Sequence, residues 1–436
     1  MKKIRIPLVL GVILIFAMSA CEALPFELPW VTAITATATL SLGENEASTP
    51  TPRTTTTVET TPAPITSLTL WVPPEMDLAL ETEASQMLRA RLQLFSDQND
   101  GIEINVRVKA ASGAGGLLDA LTAASAAAPD ALPDLIALSR QDLENASLKS
   151  LIFPMDSLTE IPDDSDWYDF TREMALLQGS TFGLPFASDT LVLVYRPESF
   201  EQFPGSWGGI FETGTALAYA AESDQSLFQM SLYLASGGSL QDNQRRPMLE
   251  VEPLTETFRF FQQGVEAGNI TEASLQYQTS AQVWTAFRDG QANLVVTWLS
   301  NYLQDAPADA LLAPLPPVNG SPVSLGTGMG WALATPDEDR HPLAVELAEF
   351  LVEPEFLSEW TFSSGYLPPR PSALDAWQDQ NLRSSLSQIA LMTRLRPSND
   401  IIASLGPIIR EQTRQVVQGL VDPSQAAQVA LESLEE

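Results

Sequence analysis

The sequence predicts an α/β protein with a mostly parallel sheet, on three observations. Apolar runs of strand length alternate with stretches whose apolar residues recur at helical spacing. The alternation opens as strand, helix, strand, helix, strand, and glycine or proline punctuates the segments. Leu68-Thr69-Leu70-Trp71-Val72 is the first buried strand, stopped by Pro73-Pro74. A helix follows from Thr82 to Phe95, where Ala84, Met87, Leu88, Leu92 and Phe95 share one face. Ile102, Ile104, Val106 and Val108 alternate with polar residues as a second strand. After the turn Ser112 to Gly116 and a helix from Leu117 to Ala128, Asp134-Leu135-Ile136-Ala137-Leu138 is the third. In open sheets of this kind small ligands sit beyond the carboxyl ends of the strands, which directs attention to Pro73–Asp77, Ser112–Gly116 and Ser139–Asp142.

A second region starts at the strand Leu191 to Tyr195. It continues through helices at Leu227–Ala235 and Leu254–Ala267 to a strand, Ala292–Trp298, that ends in an aromatic. Past the proline-rich Ala313–Pro317, Gly326–Ala334 reads as a strand whose glycines leave room for close backbone approach. Leu343, Leu347, Phe350 and Leu351 mark a helix stopped at Pro354. The remainder is helical, with Pro407 and Pro423 each placed where a helix begins, the second behind Asp422 as N-cap.

The N-terminus has the order of a secretory signal: basic residues Lys2, Lys3 and Arg5, an apolar run from Ile6 to Ala20, and then Cys21. Cys21 is the only cysteine, so an internal disulfide is excluded. Its place directly after small residues resembles a bacterial lipobox, with Met18 where Leu is usual; that resemblance implies a signal over 1–21 and lipidation of Cys21. Residues 22–67, rich in Thr, Pro, Ala and Ser, are expected to be an extended disordered tether.

Composition excludes several function classes. Against 55 acidic residues stand 23 basic ones, for a formal charge of -32, and a field of that sign repels phosphate backbones, so no nucleic-acid partner is expected. His341 is the only histidine, which rules out a Ser-His-Asp triad elsewhere and a His-rich metal site. No lysine-bearing phosphate loop is present, so any ATP hydrolysis belongs to a partner. A pair of carboxylates for glycoside hydrolysis is possible among so many acids, yet no spacing singles one out, and neither enzyme activity nor a cofactor or metal is expected.

Four segments, taken in order, resemble the extracellular solute-binding proteins of ABC importers, the sugar-binding family that includes maltose-binding proteins: Gly179–Tyr195, Phe287–Trp298, Pro314–Ala334 and Gly365–Arg370. The resemblance implies a two-lobed periplasmic-binding-protein-like fold with a hinge and an interlobe cleft. Carried onto this chain, it gives a first lobe of residues 68–184 and 318–364 and a second of 190–312 and 369–436. Crossings fall at 185–189, 313–317 and 365–368. It further implies capture of a small polar solute, a mono- or oligosaccharide, by a lipid-anchored extracytoplasmic monomer that delivers it to ABC permease subunits. A receptor or adaptor without transport is the alternative, with a secreted carbohydrate-active enzyme behind it.

Sugars present apolar C–H faces and polar rims, which suit aromatic rings and hydrogen-bonding groups respectively. Trp298 and Trp331 are the stacking candidates, although tryptophan is mostly buried whatever its role. Met329 stands where the family often turns a side chain to the cleft, and Tyr366 follows Gly365 at a crossing. Ser188 and Asp189 lie at the first crossing, Arg140 and Gln141 beyond the third strand, and Glu75 beyond the first. Gly237, in Ser236-Gly237-Gly238, offers backbone amides.

Overall fold

The computed structural model describes residues 64–435; Cys21, the signal and almost all of the expected tether lie outside them. The chain runs β1 (Ser67–Val72), α1 (Glu83–Gln98), β2 (Glu103–Val108), α2 (Leu117–Ala127), β3 (Leu135–Ser139) and α3 (Arg140–Leu148). Then α4 (Asp169–Ala175) and a small hairpin of β4 (Leu176–Leu177) and β5 (Ser180–Thr181) lead into the long β6 (Leu184–Tyr195). Next come α5 (Trp207–Glu212), β7 (Leu217–Ala218), α6 (Leu227–Ala235), α7 (Val251–Glu266) and α8 (Ser280–Arg288). They are followed by β8 (Leu294–Trp298), α9 (Leu299–Asp305), β9 (Leu311–Ala313), β10 (Ser324–Leu333), α10 (His341–Phe350) and α11 (Pro354–Ser364). The chain ends in α12 (Pro371–Asp375), α13 (Gln380–Met392), β11 (Thr393–Leu395), α14 (Asn399–Val417) and α15 (Pro423–Glu435). Ser67, expected to close the tether, is already strand, since Thr66 C=O takes the N–H of Glu103 at the head of the β1–β2 ladder.

One sheet holds β2, β1, β3, β10, β6, β8 and β7 in that order, with β11 beside β10 and β9 beside β6. β1 is parallel to β2 and β3, and β7 to β8, but β10 is antiparallel to β3 and β6, and β6 to β8. The sheet is therefore mixed. β6 leaves the first lobe and β10 re-enters it, so the two must run in opposite directions.

Each lobe is apolar on both faces of its part of the sheet, as helix-covered sheets require. In the first, Leu70, Phe95, Phe186 and Leu347 pack on one face and Leu121, Leu138 and Leu143 on the other. In the second, Leu193, Phe258, Phe261 and Ile409 oppose Val192, Val194, Phe287 and Leu386. β6 ties the lobes, pairing with β10 up to Thr190 and with β8 from Leu191. The expected crossing at 313–317 differs from the packing: Leu315 and Leu325 join the second-lobe cluster with Leu193, so the return passage lies within β10, near Gly326–Met329. Proline in that stretch ends β9 rather than bridging the lobes.

Asp422 caps α15, accepting the N–H groups of Ser424 and Gln425 at 3.0 Å each. Pro407, in contrast, does not start a helix; it sits inside α14, whose register a missing N–H interrupts without ending it. Tertiary packing overrides the local signal. A Cβ on Gly406 would stand 1.9 Å from the Asp224 carbonyl oxygen, and the Gly406 carbonyl accepts the Ser226 hydroxyl at 2.8 Å. The Gly-Pro pair thus lets the entry to α6 lie against the backbone of α14. Gly406→Ala is expected to lower unfolding stability by about 1–3 kcal/mol in urea titration, because backbone must move to admit the methyl group.

Candidate functional site

Strand direction locates the site. β3 and β6 both run against β10, so β1, β3 and β6 point from the first lobe toward the second. β8 runs against β6, with β7 alongside it, so those two point back toward the first. The carboxyl ends of the parallel strands of both lobes therefore converge on one interlobe groove, the position at which such sheets bind ligands. The loops at these ends are Pro73–Asp77, Ser139–Asp142, Tyr219–Ser226 and Trp298–Ser300.

Register sorts the crossing residues between two faces. Asp189 lies opposite Thr327 and Ala187 opposite Met329, whereas Thr190 and Ser188 lie opposite Gly326 and Gly328. Neighbours along a strand alternate, so Asp189, Thr327 and Met329 share one face and the two glycines the other. On the first face Thr327 and Met329 are half-buried. Tyr366 joins them, its ring parallel to Trp360 at a centroid distance of 6.4 Å. Burial pushes the Tyr366 hydroxyl pKa up, and the carboxylates of Glu75 and Asp189 add to the shift, while Gln304 of α9 opposes it. Glu75, Asp189 and Tyr366 thus come together from three separate stretches of chain. Trp298, half-buried at the end of β8, comes two residues before Ser300, the partner of Asp189.

Asp189 is more a structural tie than a free ligand group. Its carboxylate accepts the Ser300 N–H at 3.0 Å and hydroxyl at 2.5 Å, and the Thr190 N–H at 2.8 Å, seating the crossing strand on the first turn of α9. Burial nevertheless raises its pKa to about 6. The folded state then holds this proton more tightly than the unfolded chain, where an aspartate titrates near 3.9, roughly. The resulting contribution is fully present at low pH and is lost as pH rises from about 4 to about 6. The unfolding free energy of the wild type relative to Asp189→Asn is expected to fall across that window; a flat difference would remove Asp189 as the titrating group.

Other candidates are placed elsewhere. Trp331 is 1 % exposed and packs on Phe186 with ring centroids 4.8 Å apart, so it is core and offers no face to a solute. Ser188 is fully buried and spends its hydroxyl on the Leu367 carbonyl at 2.8 Å. Gly237 and Gly238 close the end of α6, their N–H groups already donated to Leu234 and Tyr233, which leaves no free amides. Arg140 lies on the other face of the crossing strands. It donates to the Met174 carbonyl at 3.0 Å, and Met174 fills the place where a Gly328 Cβ would stand. Gln141 is exposed, and its carbonyl accepts the Asn399 side-chain amide at 2.9 Å on that same far side. There a cavity of about 1430 Å³ opens between the lobes, lined by Arg140, Phe170, Thr393 and Asn399 among others. β3 ends at its rim through Arg140, but the loops after β1, β7 and β8 contribute no residue to its lining.

On the second-lobe side of the groove, sequence reasoning named Trp298 and missed the charged residues. Arg410 of α14 pairs with Asp224, and its Nε lies 4.0 Å from Glu222, both acids belonging to the loop after β7. Tyr219 opens that loop, its hydroxyl pKa raised by burial and then by Glu222. β7 is two residues long, too short for any periodicity to show, and reading Pro407 as a helix start left Arg410 without a position. Among the described residues, Glu75 and Asp189 stand near Tyr366 on the first-lobe side, and Arg410 is paired with Glu222 and Asp224 on the second-lobe side.

Among the described residues no helix is long and apolar enough to cross a membrane. Residues 90–383 match the family described as bacterial extracellular solute-binding protein. Over 198 residues the chain is 24% identical to the maltotriose-binding protein of Pyrococcus abyssi (strain GE5 / Orsay), a match that spans 43% of this chain and only 42% of that protein. Its fold is similar to that of a cyclic α-maltosyl-1,6-maltose binding protein from Arthrobacter globiformis, with a TM-score of 0.69, 15% identity and coverage of 84% of this chain and 97% of the other. The sugar-binding protein MalE from Xanthomonas citri is similar at a TM-score of 0.66 and 19% identity, over 85% of this chain and 98% of that one. At these identities the structural likeness establishes the two-lobed α/β fold.

Proposed function

The chain belongs to the bacterial extracellular solute-binding proteins, and from that premise we propose that it captures a neutral oligosaccharide in the interlobe groove and delivers it to an ABC-type importer. Membership of the family places it outside the cytoplasm; tethering through a lipidated Cys21 is part of the proposal. The observation that carries the reading is the convergence of the strand ends of both lobes on one groove crossed by β6 and β10. A solute that touches both lobes gains contacts only in the closed form and so shifts the population toward it.

The residues proposed to meet the solute are Trp298, Tyr366, Met329 and Glu75, with Glu222 and Arg410 on the second lobe. Charge narrows the class. The carboxylates at these loop ends outnumber Arg410, which disfavours an anionic solute, and Glu75 and Glu222 suit hydroxyl donors, whose bonds to carboxylates are the stronger, charge-assisted kind. The relatives named above, two of them described as binding maltose-type glucans, make maltotriose the first compound to try. Thermal unfolding of the protein with maltotriose, cellotriose and glucuronate tests the proposal. A cognate sugar at a hundred times its dissociation constant is expected to add about 2.7 kcal/mol of stability. Stabilisation by glucuronate alone, or hydrolysis of either trisaccharide, would overturn it.

A further inference from the structure

One helix of the second lobe touches both the crossing strand and the first lobe. α9 is capped at its start by Trp298, and its first turn is fastened to β6, where Asp189 accepts the Ser300 N–H at 3.0 Å and hydroxyl at 2.5 Å. Leu299, Tyr302 and Leu303 pack into the second-lobe core beside Val192 and Phe287. The last turn of α9 meets the first lobe. There α11, whose Leu357 and Trp360 belong to the first-lobe core, ends at the buried Gly365, with φ at +72°. The Gln304 side-chain amide donates to the Ser364 carbonyl at 3.4 Å. A Cβ on Gly365 would stand 2.9 Å from the Gln304 nitrogen and 3.0 Å from its Cα, with the Gln304 Cγ at 2.5 Å. Atoms in ordinary contact lie about 3.5–4.0 Å apart, so a side chain here forces main chain, and not merely a flexible tip, to withdraw by roughly 0.5 Å or more.

The two sides of this contact carry the two rings assigned to the solute. Trp298 heads α9, and Tyr366 directly follows Gly365, its ring parallel to Trp360 of α11. We propose that Gly365 is a positioning residue of the solute site: lacking a side chain, it lets α9 close on the end of α11 and so sets the separation of Trp298 from Tyr366 across the groove. The role of the rings rests on the function proposed above, whereas the lobe spacing that Gly365 fixes holds for any solute or none. Glycine meets two demands here, a positive φ and the room that Gln304 occupies. Asparagine tolerates the first and violates the second, because it accepts the left-handed region but carries a Cβ. Sub-ångström shifts beside a hinge are amplified into movements of whole lobes, since packed interfaces do not deform continuously.

Gly365→Asn and Gly365→Ala test the contact in the full chain. Lobe spacing is read without solute from paired spin labels on Leu94→Cys and Leu420→Cys, exposed positions of the first and second lobes, in a Cys21→Ser background. Both variants are expected to shift the mean label distance by about 2 Å or more. Gly268→Asn is the control: its φ is +78° and no atom lies within 4 Å of an added Cβ, so the distance should stay at the wild-type value. In calorimetric titration with maltotriose, Gly365→Asn is expected to raise the dissociation constant about 10-fold, as when the binding-competent fraction falls to a tenth, and Gly268→Asn to leave it unchanged. Wild-type label distances in both Gly365 variants, an equal shift in Gly268→Asn, or a shifted distance with unchanged affinity overturns the proposal. Absence of maltotriose heat in the wild type counts against the oligosaccharide reading alone, and the label distances then decide the role of Gly365.

Discussion

Replacing Arg340 with methionine is expected to cost about 3–5 kcal/mol of unfolding stability, the range found when one partner of a buried ion pair is removed. The Asp134 side chain is only 4% exposed, and Arg340 grips both of its oxygens, at 2.6 and 2.8 Å, while donating to the Ser67 carbonyl at 2.5 Å. Asp134 also accepts the Thr69 N–H at 2.7 Å, and its carbonyl takes the N–H of Ala334. One ion pair thus fastens the start of β1, the approach to β3 and the exit of β10. Methionine keeps the apolar stem and leaves the carboxylate buried with a single donor. Adding Asp134→Asn should recover part of the loss, since the stranded charge is then gone. The cluster lies at the amino ends of β1 and β3, away from the groove, so solute affinity should be unchanged below the melting range. A loss under about 1 kcal/mol in denaturant titration would show that solvent reaches Asp134 and the pair counts as a surface one.

Much of the first lobe was legible because its signals are local. The apolar run Leu68–Val72, the alternation to Val108 and the helical face through Leu88 and Phe95 each fall inside one element, and the elements form where those patterns stand. Two of the three β10 glycines were legible as sites of close approach: a Cβ would collide with Thr393 at Gly326 and with the Ala187 carbonyl at Gly328. What sequence did not show was direction and side. That β10 runs against both its neighbours depends on the return of the chain from the second lobe, and no window of residues encodes that return. Arg140 and Glu75 each follow a parallel strand, yet one faces the far cavity and the other approaches Tyr366, because the crossing strands separate the two faces. Trp331 had the composition of a stacking residue and the register of a core one. Arg410 became visible only when α14 proved continuous through Pro407.

Removing the Trp298 ring is expected to raise the dissociation constant for the cognate sugar about 10- to 100-fold, or about 1.4–2.8 kcal/mol, as for an aromatic anchor in a desolvated site. The main chain at this point does not depend on the indole. Trp298 N–H donates to the Ser280 hydroxyl at 3.2 Å, that hydroxyl also bonds Thr297 at 2.8 Å, and Asn301 holds Thr297 at 2.8 Å. Across the strand pair Trp298 faces Leu191, one step along β6 from the buried Thr190 that anchors the crossing to Thr393 and Ser324. Truncation should therefore leave the hinge and the end of β8 in place while stripping an apolar face from the second lobe. Trp298→Phe, which keeps a ring, should retain most of the affinity, and Trp331→Phe, deep in the first-lobe core, should change stability but not binding. Calorimetric titration of the three variants separates these outcomes. Unchanged affinity in Trp298→Ala would move the stacking surface to Tyr366, whose ring already lies parallel to Trp360 at the first-lobe side of the groove.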